Sequence, residues 1–157
     1  MNFETIYKTY WQKVFRLCMG YLNDTDAAKD LAQETFIKIW KQLPKFRNES
    51  SIGTWIFRIA SNTYLRQIQK DNKMPKSKLP LEIKDEILET NIEKDIQFLY
   101  QCISELQEIE RIIISLKLED INQKEIARIV GLSEGNVRVK IHRIKEKLTQ
   151  KFKVYEY

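Results

Sequence analysis

Basic side chains crowd the last helix that the sequence predicts. From Val137 to Lys153 the chain has one anion, Glu146, and seven cations, which are Arg138, Lys140, Arg143, Lys145, Lys147, Lys151 and Lys153. From Asn91 to Gln123 the balance reverses, with seven acidic side chains against three basic ones. A merely solvated surface would mix the two signs. This segregation directs a positive helix toward a polyanion, and the major groove of DNA accepts such a helix.

The residues that precede the basic helix predict a helix-turn-helix. Residues 123–130 form a short helical pattern with three inward-facing side chains, Ile126, Ala127 and Val130. Gly131 can adopt the left-handed conformation that ends this helix, and Leu132 points back into the core. Ser133 can cap the next helix by accepting a hydrogen bond from the amide of Gly135 or Asn136. That second helix runs to about residue 152 and buries Val137, Ile141, Ile144 and Leu148.

A different combination of side chains shares one side of the second predicted helix, for which Asp24, Thr25 and Asp26 offer an N-cap and which runs to Leu43. The core stripe of this helix is Ala28, Leu31, Ala32, Thr35, Ile39 and Leu43. An advance of about 100° per residue brings Asp30, Gln33, Ile37 and Trp40 together on another side. An acid, an amide, an aliphatic and a large aromatic side chain are typical of a protein docking face. The spacing equally allows Ile37 and Trp40 to cover a neighbouring helix.

The helix predicted from the cap at Ser50–Ser51 to about Lys70 carries a third candidate site. Trp55, Arg58, Asn62 and Arg66 fall within one sector of this helix, and the polar loop before it contains Phe46 and Arg47. An aromatic ring beside a cation and an amide can stack on and contact an unpaired base. The alternative is a core tryptophan surrounded by ordinary surface residues, and the pattern alone leaves both readings open.

No pattern in the chain indicates catalysis or a metal site. The one histidine, His142, lies on the basic helix without a nucleophile pair, and neither a P-loop nor a dinucleotide-binding glycine pattern occurs. Cys18 and Cys102 stand alone, so we expect two buried thiols in a reducing compartment. We therefore expect no cofactor, no metal and no small-molecule substrate. The sequence shows neither a signal peptide nor a membrane span, which predicts a cytoplasmic protein without membrane insertion.

The composition predicts an all-α protein. The 157 residues include four glycines, three prolines and a formal net charge of +5. Residues 1–71 and 91–157 read as two small helical domains, and the irregular, proline-containing residues 72–90 read as a flexible linker between them. In the second domain, one helix is expected to bury a face made of Ile92, Ile96, Leu99, Ile103 and Leu106. Two further helices precede the basic one, over about 108–118 and 123–130.

Three stretches together resemble a known family. DLAQETFIKIW, FRNESSIGTWIFRIASN and EIARIVGLSEGNVRVKIHRIKEKL occur in this order and cover nearly the whole chain. They are similar to the small two-domain sigma factors of bacteria, the extracytoplasmic-function group. The resemblance implies a transcription initiation subunit that binds core RNA polymerase, directs it to specific promoter DNA and helps to open the duplex. Such proteins are commonly held inactive by an anti-sigma factor, so the resemblance implies one as a partner here.

The resemblance also implies roles for particular residues. The residues of the first domain that would dock on the clamp helices of polymerase are Asp30, Gln33, Glu34, Ile37 and Trp40. The residues that would open the duplex and capture a base of the minus-ten element are Phe46, Arg47, Asn48, Ser50, Trp55, Arg58, Asn62 and Arg66. The residues that would read the minus-thirty-five element are Ser133, Glu134, Asn136, Arg138, Lys140 and Arg143.

The chain departs from the family pattern at one position. The family often has an aspartate four residues after Asn62, where this chain has Arg66, so the minus-ten base preference does not carry over. Two other classes of function remain to be distinguished. A helix-turn-helix repressor or activator would bind its operator tightly without polymerase, and an enzyme would need a catalytic constellation that the sequence does not show.

Overall fold

Seven α-helices make up most of the described chain. A computed structural model describes residues 2–73 and 91–156. The helices are α1 Phe3–Leu22, α2 Thr25–Gln42, α3 Ile52–Lys73, α4 Asn91–Ser104, α5 Glu108–Leu118, α6 Gln123–Val130 and α7 Glu134–Glu156. A single 3-10 turn, Leu43–Lys45, follows α2, and the described residues contain no strand. The prediction of an all-α fold is confirmed.

Local capping chemistry explains where the first helices begin and end. The Asn2 side chain accepts from the Thr5 amide at 2.9 Å and starts α1, and Asn23 ends α1 in the left-handed region with φ 49°. The Asp24 side chain then accepts from the Ala27 amide at 3.0 Å and starts α2. Pro44 cannot continue an α-helix and lies at the start of the 3-10 turn.

The first three helices enclose one apolar core. The predicted stripe of α2 is correct, because Ala28, Leu31, Ala32, Thr35 and Ile39 are buried and Leu43 is half-buried. The sequence reading missed Phe36, which is buried against the rings of Tyr7 and Trp11 at centroid distances of 5.1 and 5.7 Å. Tyr7, Trp11 and Phe15 form a row of stacked rings along α1.

The prediction for α4 is wrong in its first half. Ile92 and Ile96 are 70% and 48% exposed, whereas Ile103 and Leu106 are buried as predicted. Further along α4, the ring of Phe98 stacks on the ring of Tyr155 of α7, with the centroids 4.1 Å apart. Periodicity identified the correct face of the helix, but it does not say how far the helices packed against that face extend.

The third helix is longer than composition predicted. It continues through residues 71–73, which the sequence reading assigned to the end of the first domain and the start of the linker. The rest of the predicted linker, residues 74–90, lies outside the described residues.

The two halves of the chain pack directly against each other. Helix α1 contacts α4 and α5, and α3 contacts α6. The closest approach is at Gly20, where an added Cβ would overlap Ser115 Oγ and come within 3.0 Å of Ser115 Cβ. Because Gly20 has no side chain, the Ser115 side chain of α5 can lie directly against the backbone of α1.

Arginine side chains from one half reach acceptors on the other. Arg111 of α5 donates to the Tyr21 carbonyl and the Tyr64 hydroxyl, both at 3.2 Å. Arg16 of α1 forms a bidentate pair with Glu119, with Nε–Oε1 and Nη2–Oε2 distances of 2.6 and 2.8 Å. This hydrogen-bonded pairing raises the pKa of Arg16.

We predict that Gly20→Leu forces α1 away from α5. The added side chain has no space beside Ser115, so the free energy of unfolding should fall by about 1–3 kcal/mol, as for other overpacked sites. Chemical denaturation of the purified protein measures this change. Gly135→Leu is the matched control, because a Cβ there meets nothing closer than 3.8 Å. Equal stabilities for the two variants would contradict the close approach.

Candidate nucleic-acid interface

The turn between α6 and α7 has the geometry that its sequence predicts. Gly131 adopts φ 74°, and its amide donates to the Ala127 carbonyl at 2.9 Å. The Leu132 amide donates to the same carbonyl at 3.2 Å. The Ser133 hydroxyl accepts from the Asn136 amide at 3.1 Å and caps α7. These contacts fix the direction in which α7 leaves the turn.

The buried and exposed residues of α7 lie on the sides of the helix that the sequence predicts. Val137, Ile141, Ile144 and Leu148 are buried. On α6, Ile126 and Ala127 are buried, Val130 is half-buried, and Ile129 is a buried residue that the sequence reading did not place. The predicted reading residues Ser133, Glu134, Asn136, Arg138 and Arg143 are exposed, and Lys140 is partly exposed. The first turns of α7 therefore present a polar and basic surface to solvent.

The basic side chains at the far end of α7 have a different environment. Lys147 Nζ lies 3.3 Å from a carboxylate oxygen of Glu110, which is buried in α5. Lys151 pairs with Glu105. The sequence reading directed all seven cations of this helix toward DNA, but Lys147 and Lys151 pair with carboxylates of their own domain. The acidic segment 91–123 thus supplies partners for part of the basic helix.

The aromatic and polar residues at the start of α3 form a second exposed group. The rings of Phe46 and Trp55 lie 4.9 Å apart, so the loop before α3 folds onto the helix. Arg47 and Asn48 are exposed, with Asn48 at a φ of 57°, and Ser50 is partly exposed. The Ser51 hydroxyl accepts from the Thr54 amide at 3.2 Å, which confirms the predicted cap.

The predicted sector of α3 is only partly open. Asn62 and Arg66 are exposed, whereas Trp55 and Arg58 are half-buried. Arg58 donates to the Arg128 carbonyl of α6 at 3.4 Å. Thr54, which the sequence reading did not single out, donates to a Glu125 carboxylate oxygen at 2.6 Å. Residues 54 and 125 lie 71 positions apart in the chain, so no local pattern could have revealed this contact.

The candidate docking face of α2 is exposed. Trp40 and Ile37 are 61% and 54% exposed, and Asp30, Gln33 and Glu34 also face solvent. Ile37 and Trp40 therefore do not cover a neighbouring helix in this structure. Large apolar side chains that adjoin each other on the surface are candidates for an interaction surface.

The two cysteines are buried, as the sequence predicts. Both thiols are free and buried, and burial raises the pKa of Cys18 to about 12. In the described part of the chain, no group of His, Cys, Asp and Glu side chains could hold a metal ion. None of the described helices has both the length and the apolar character needed to cross a bilayer.

The chain matches two protein families in sequence. Residues 6–74 match Sigma-70 region 2, and residues 97–148 match Sigma-70 region 4. The sigma-E factor of Escherichia coli (strain K12) is 30% identical over 95% of this chain and 85% of its own length. The chain belongs to the extracytoplasmic-function sigma factors.

Other relatives and solved structures agree with this assignment. The sigma factor YlaC of Bacillus subtilis (strain 168) is 28% identical over 94% of this chain and 90% of its own length. The sigma factor RpoE in a complex with the anti-sigma factor NepR from Bartonella quintana has the same fold, with a TM-score of 0.78, 20% identity and 97% of each chain covered. CnrH, in complex with the cytosolic domain of CnrY, gives a TM-score of 0.72 at 18% identity over 97% of this chain and 88% of CnrH.

The sigma factor thus binds core RNA polymerase and directs it to promoters. Its two matched regions correspond to the two halves of the fold. Region 2 covers α1 to α3, and region 4 covers most of α4 together with α5, α6 and the part of α7 that ends at Leu148.

We predict that Lys147→Met destabilises region 4 of the sigma factor. The substitution leaves the largely buried Glu110 carboxylate without its cation, which should cost about 1–2 kcal/mol, between the values for surface and buried pairs. Thermal unfolding measures the loss. Lys145→Met is the control, because Lys145 makes no ion pair within 4 Å among the described residues. If Lys147→Met loses no more stability than Lys145→Met, the ion pair between Lys147 and Glu110 does not stabilise region 4.

Proposed function

We propose that the three exposed surfaces divide the work of this sigma factor. Helix α2 docks on core polymerase, the start of α3 with its preceding loop holds the minus-ten element, and the first turns of α7 read the minus-thirty-five element. The observation that carries this proposal is the exposure of Ile37 and Trp40 on α2. A helix-turn-helix regulator that acts alone needs a DNA-binding surface, but it does not need this additional apolar one.

The chemistry of α2 suits a protein partner. Ile37 and Trp40 provide apolar area that water would leave on binding, and Asp30, Gln33 and Glu34 surround it with polar groups. This is the usual arrangement of an interface, with an apolar centre and a polar rim. The family resemblance names the polymerase clamp helices as the partner.

We predict that Trp40→Ala weakens binding to core polymerase about 30-fold or more without lowering the stability of the free protein. A buried aromatic anchor at an interface contributes at least ~2 kcal/mol, whereas in the free protein Trp40 is 61% exposed. Titration of labelled core polymerase measures the affinity. Leu118→Ala, at an exposed apolar residue of α5, is the control. Unchanged core binding by the Trp40 variant would remove α2 from the docking site.

The start of α3 suits an unpaired strand. Trp55 has its ring beside Phe46, and the exposed amide of Asn62 and cation of Arg66 follow on the same helix. Stacking on an aromatic ring and hydrogen bonds to base edges are how proteins capture single-stranded bases. Arg47, Asn48 and Ser50 lie in the adjoining loop and would contact the same strand.

The two ends of α7 suit different tasks. Ser133, Glu134, Asn136, Arg138, Lys140 and Arg143 lie in the first turns or just before them, and the start of a recognition helix is the part that enters the major groove. The later residues Lys147 and Lys151 are held by Glu110 and Glu105. We therefore assign sequence preference to the first turns and a mainly structural role to these two lysines.

We predict that Arg138→Ala alters the preferred minus-thirty-five sequence, at a cost of about 1–3 kcal/mol at one base position. Lys145→Ala should weaken binding to all promoters alike, because a phosphate contact carries no sequence information. It should also reduce by about one the steepness with which the logarithm of affinity falls with the logarithm of salt concentration. Selection from a promoter library at two salt concentrations measures both effects. If Lys145→Ala reshapes the preference and Arg138→Ala does not, the helix lies in the groove the other way round.

The whole proposal has a direct test. Core polymerase with and without the purified protein is used to transcribe a library of genomic fragments, and the start sites are mapped. We expect new start sites only when the protein is present, with a shared pair of elements upstream. Tight operator binding by the protein alone, without new start sites, would favour an autonomous regulator.

An inhibitory partner and a cellular location complete the proposal. The two structural neighbours were solved in complexes, RpoE with an anti-sigma factor and CnrH with the cytosolic domain of CnrY, and we propose that an anti-sigma factor also controls this chain. The protein would act in the cytoplasm, where polymerase and the chromosome lie. It would supply no chemistry itself, because polymerase forms the phosphodiester bonds.

A further inference from the structure

One apolar side chain lies exposed in the middle of the polar face of α7. Val139 is 48% exposed. Among residues 134–153, all of which the structure describes, it is the one large apolar residue that is neither buried nor partly buried. Its neighbours one turn away on either side, Asn136 and Arg143, are exposed polar residues. A hydrophobic side chain therefore stands inside a polar and cationic surface.

The side chain of Val139 is directed away from the rest of region 4. The buried residues of α7 face the other helices of region 4, which α7 contacts through α4, α5 and α6. At about 100° per residue, Val139 lies about 140–180° around the helix from each of these buried residues. They are Val137, Ile141, Ile144 and Leu148. The side of a recognition helix opposite its packed face enters the major groove. Val139 thus lies on the part of α7 that would come closest to the bases.

Gly135, one turn before Val139 on the same side of α7, is a glycine that the fold itself does not require. An added Cβ would meet only Arg138 Nη2, at an ordinary contact distance of 3.8 Å. The backbone of Gly135 is helical, and its φ is not in the left-handed region. Glycine is a poor helix former, so neither packing nor conformation accounts for it. The close approach of a molecule from outside does account for it.

We propose that Val139 reads a thymine of the minus-thirty-five element through the 5-methyl group of the base. This inference rests on the assignment of the first turns of α7 to that element, and it names one base that they select. The base edges in the major groove present hydrogen-bond donors and acceptors, and thymine adds an apolar methyl group. The valine side chain has no donor or acceptor, so it favours that methyl by removing both apolar groups from water. Gly135 gives the helix the clearance that this contact needs.

The test removes the methyl group from the DNA. The promoter preferred in the library selection described above is synthesised with one deoxyuridine in place of one thymine at a time, on either strand of the minus-thirty-five element. Deoxyuridine pairs with adenine as thymine does, but it lacks the methyl group. Competition against the unsubstituted promoter for the holoenzyme measures the relative affinity. We expect one position at which the substitution weakens binding about fourfold, as for the loss of one methyl from an apolar contact.

The matching change in the protein is Val139→Ala. Holoenzyme with this variant should bind the thymine promoter more weakly than native holoenzyme. At the methyl-sensitive position it should bind the thymine and deoxyuridine forms within about 1.5-fold of each other, because groups in contact are not additive. Val154→Ala is the control: it makes the same chemical change at a valine that is 80% exposed near the far end of α7, and it should keep the fourfold preference.

Gly135→Ala separates the approach to DNA from folding. Alanine is the better helix former and its Cβ has space in the free protein, so the Tm should rise. Promoter binding should weaken nonetheless, because the same Cβ would meet the DNA. Unchanged or tighter promoter binding would place this side of α7 too far from the bases for Val139 to reach a methyl group.

The outcomes distinguish this inference from the proposed function. If native holoenzyme has no methyl-sensitive position, or if Val139→Ala keeps the full sensitivity, the inference is wrong. New start sites with the native protein would still uphold the proposed function in that case. If the native protein gives no start sites with core polymerase, both the proposed function and this inference are overturned.

Discussion

The close approach of α1 to α5 decides how the two halves of this sigma factor meet. A glycine at position 20 lets Ser115 lie against the backbone of α1. On the same helices, Arg16 reaches Glu119 and Arg111 reaches the Tyr21 carbonyl. A larger residue at position 20 would lengthen both of these contacts at the same time. The packing of α6 on α3 is a second contact between the same two halves.

The interface that results combines apolar and polar contacts, because buried apolar residues of the two halves belong to one continuous cluster. The Ser115 hydroxyl is buried without a hydrogen-bond partner among the described residues, which costs free energy. The Arg16 guanidinium is partly open to solvent, so its pair with Glu119 contributes modestly. By contrast, Tyr21 and Tyr64 stack at 4.8 Å within region 2, and burial raises the pKa of Tyr21.

Much of the fold could be predicted from local chemistry. The caps at Asp24, Ser51 and Ser133 and the turn at Gly131 depend on residues three or four positions apart, and all of them were predicted correctly. The exposure of Ile92 and Ile96 could not be predicted, because it depends on where other helices end. The Thr54–Glu125 contact and the pairing of Lys147 with Glu110 join distant segments, and sequence periodicity carries no signal for them.

The division of α7 has a consequence for how such a protein can change. Its first turns are anchored by the Ser133 cap and the buried Val137 and Ile141, while its last turns are anchored through Lys147 and Lys151. The exposed residues between these anchors contribute little to stability. Under the proposed assignment, substitutions there can redirect the protein to new promoters at almost no cost in folding. Promoter choice and structural integrity can then diverge independently within one helix.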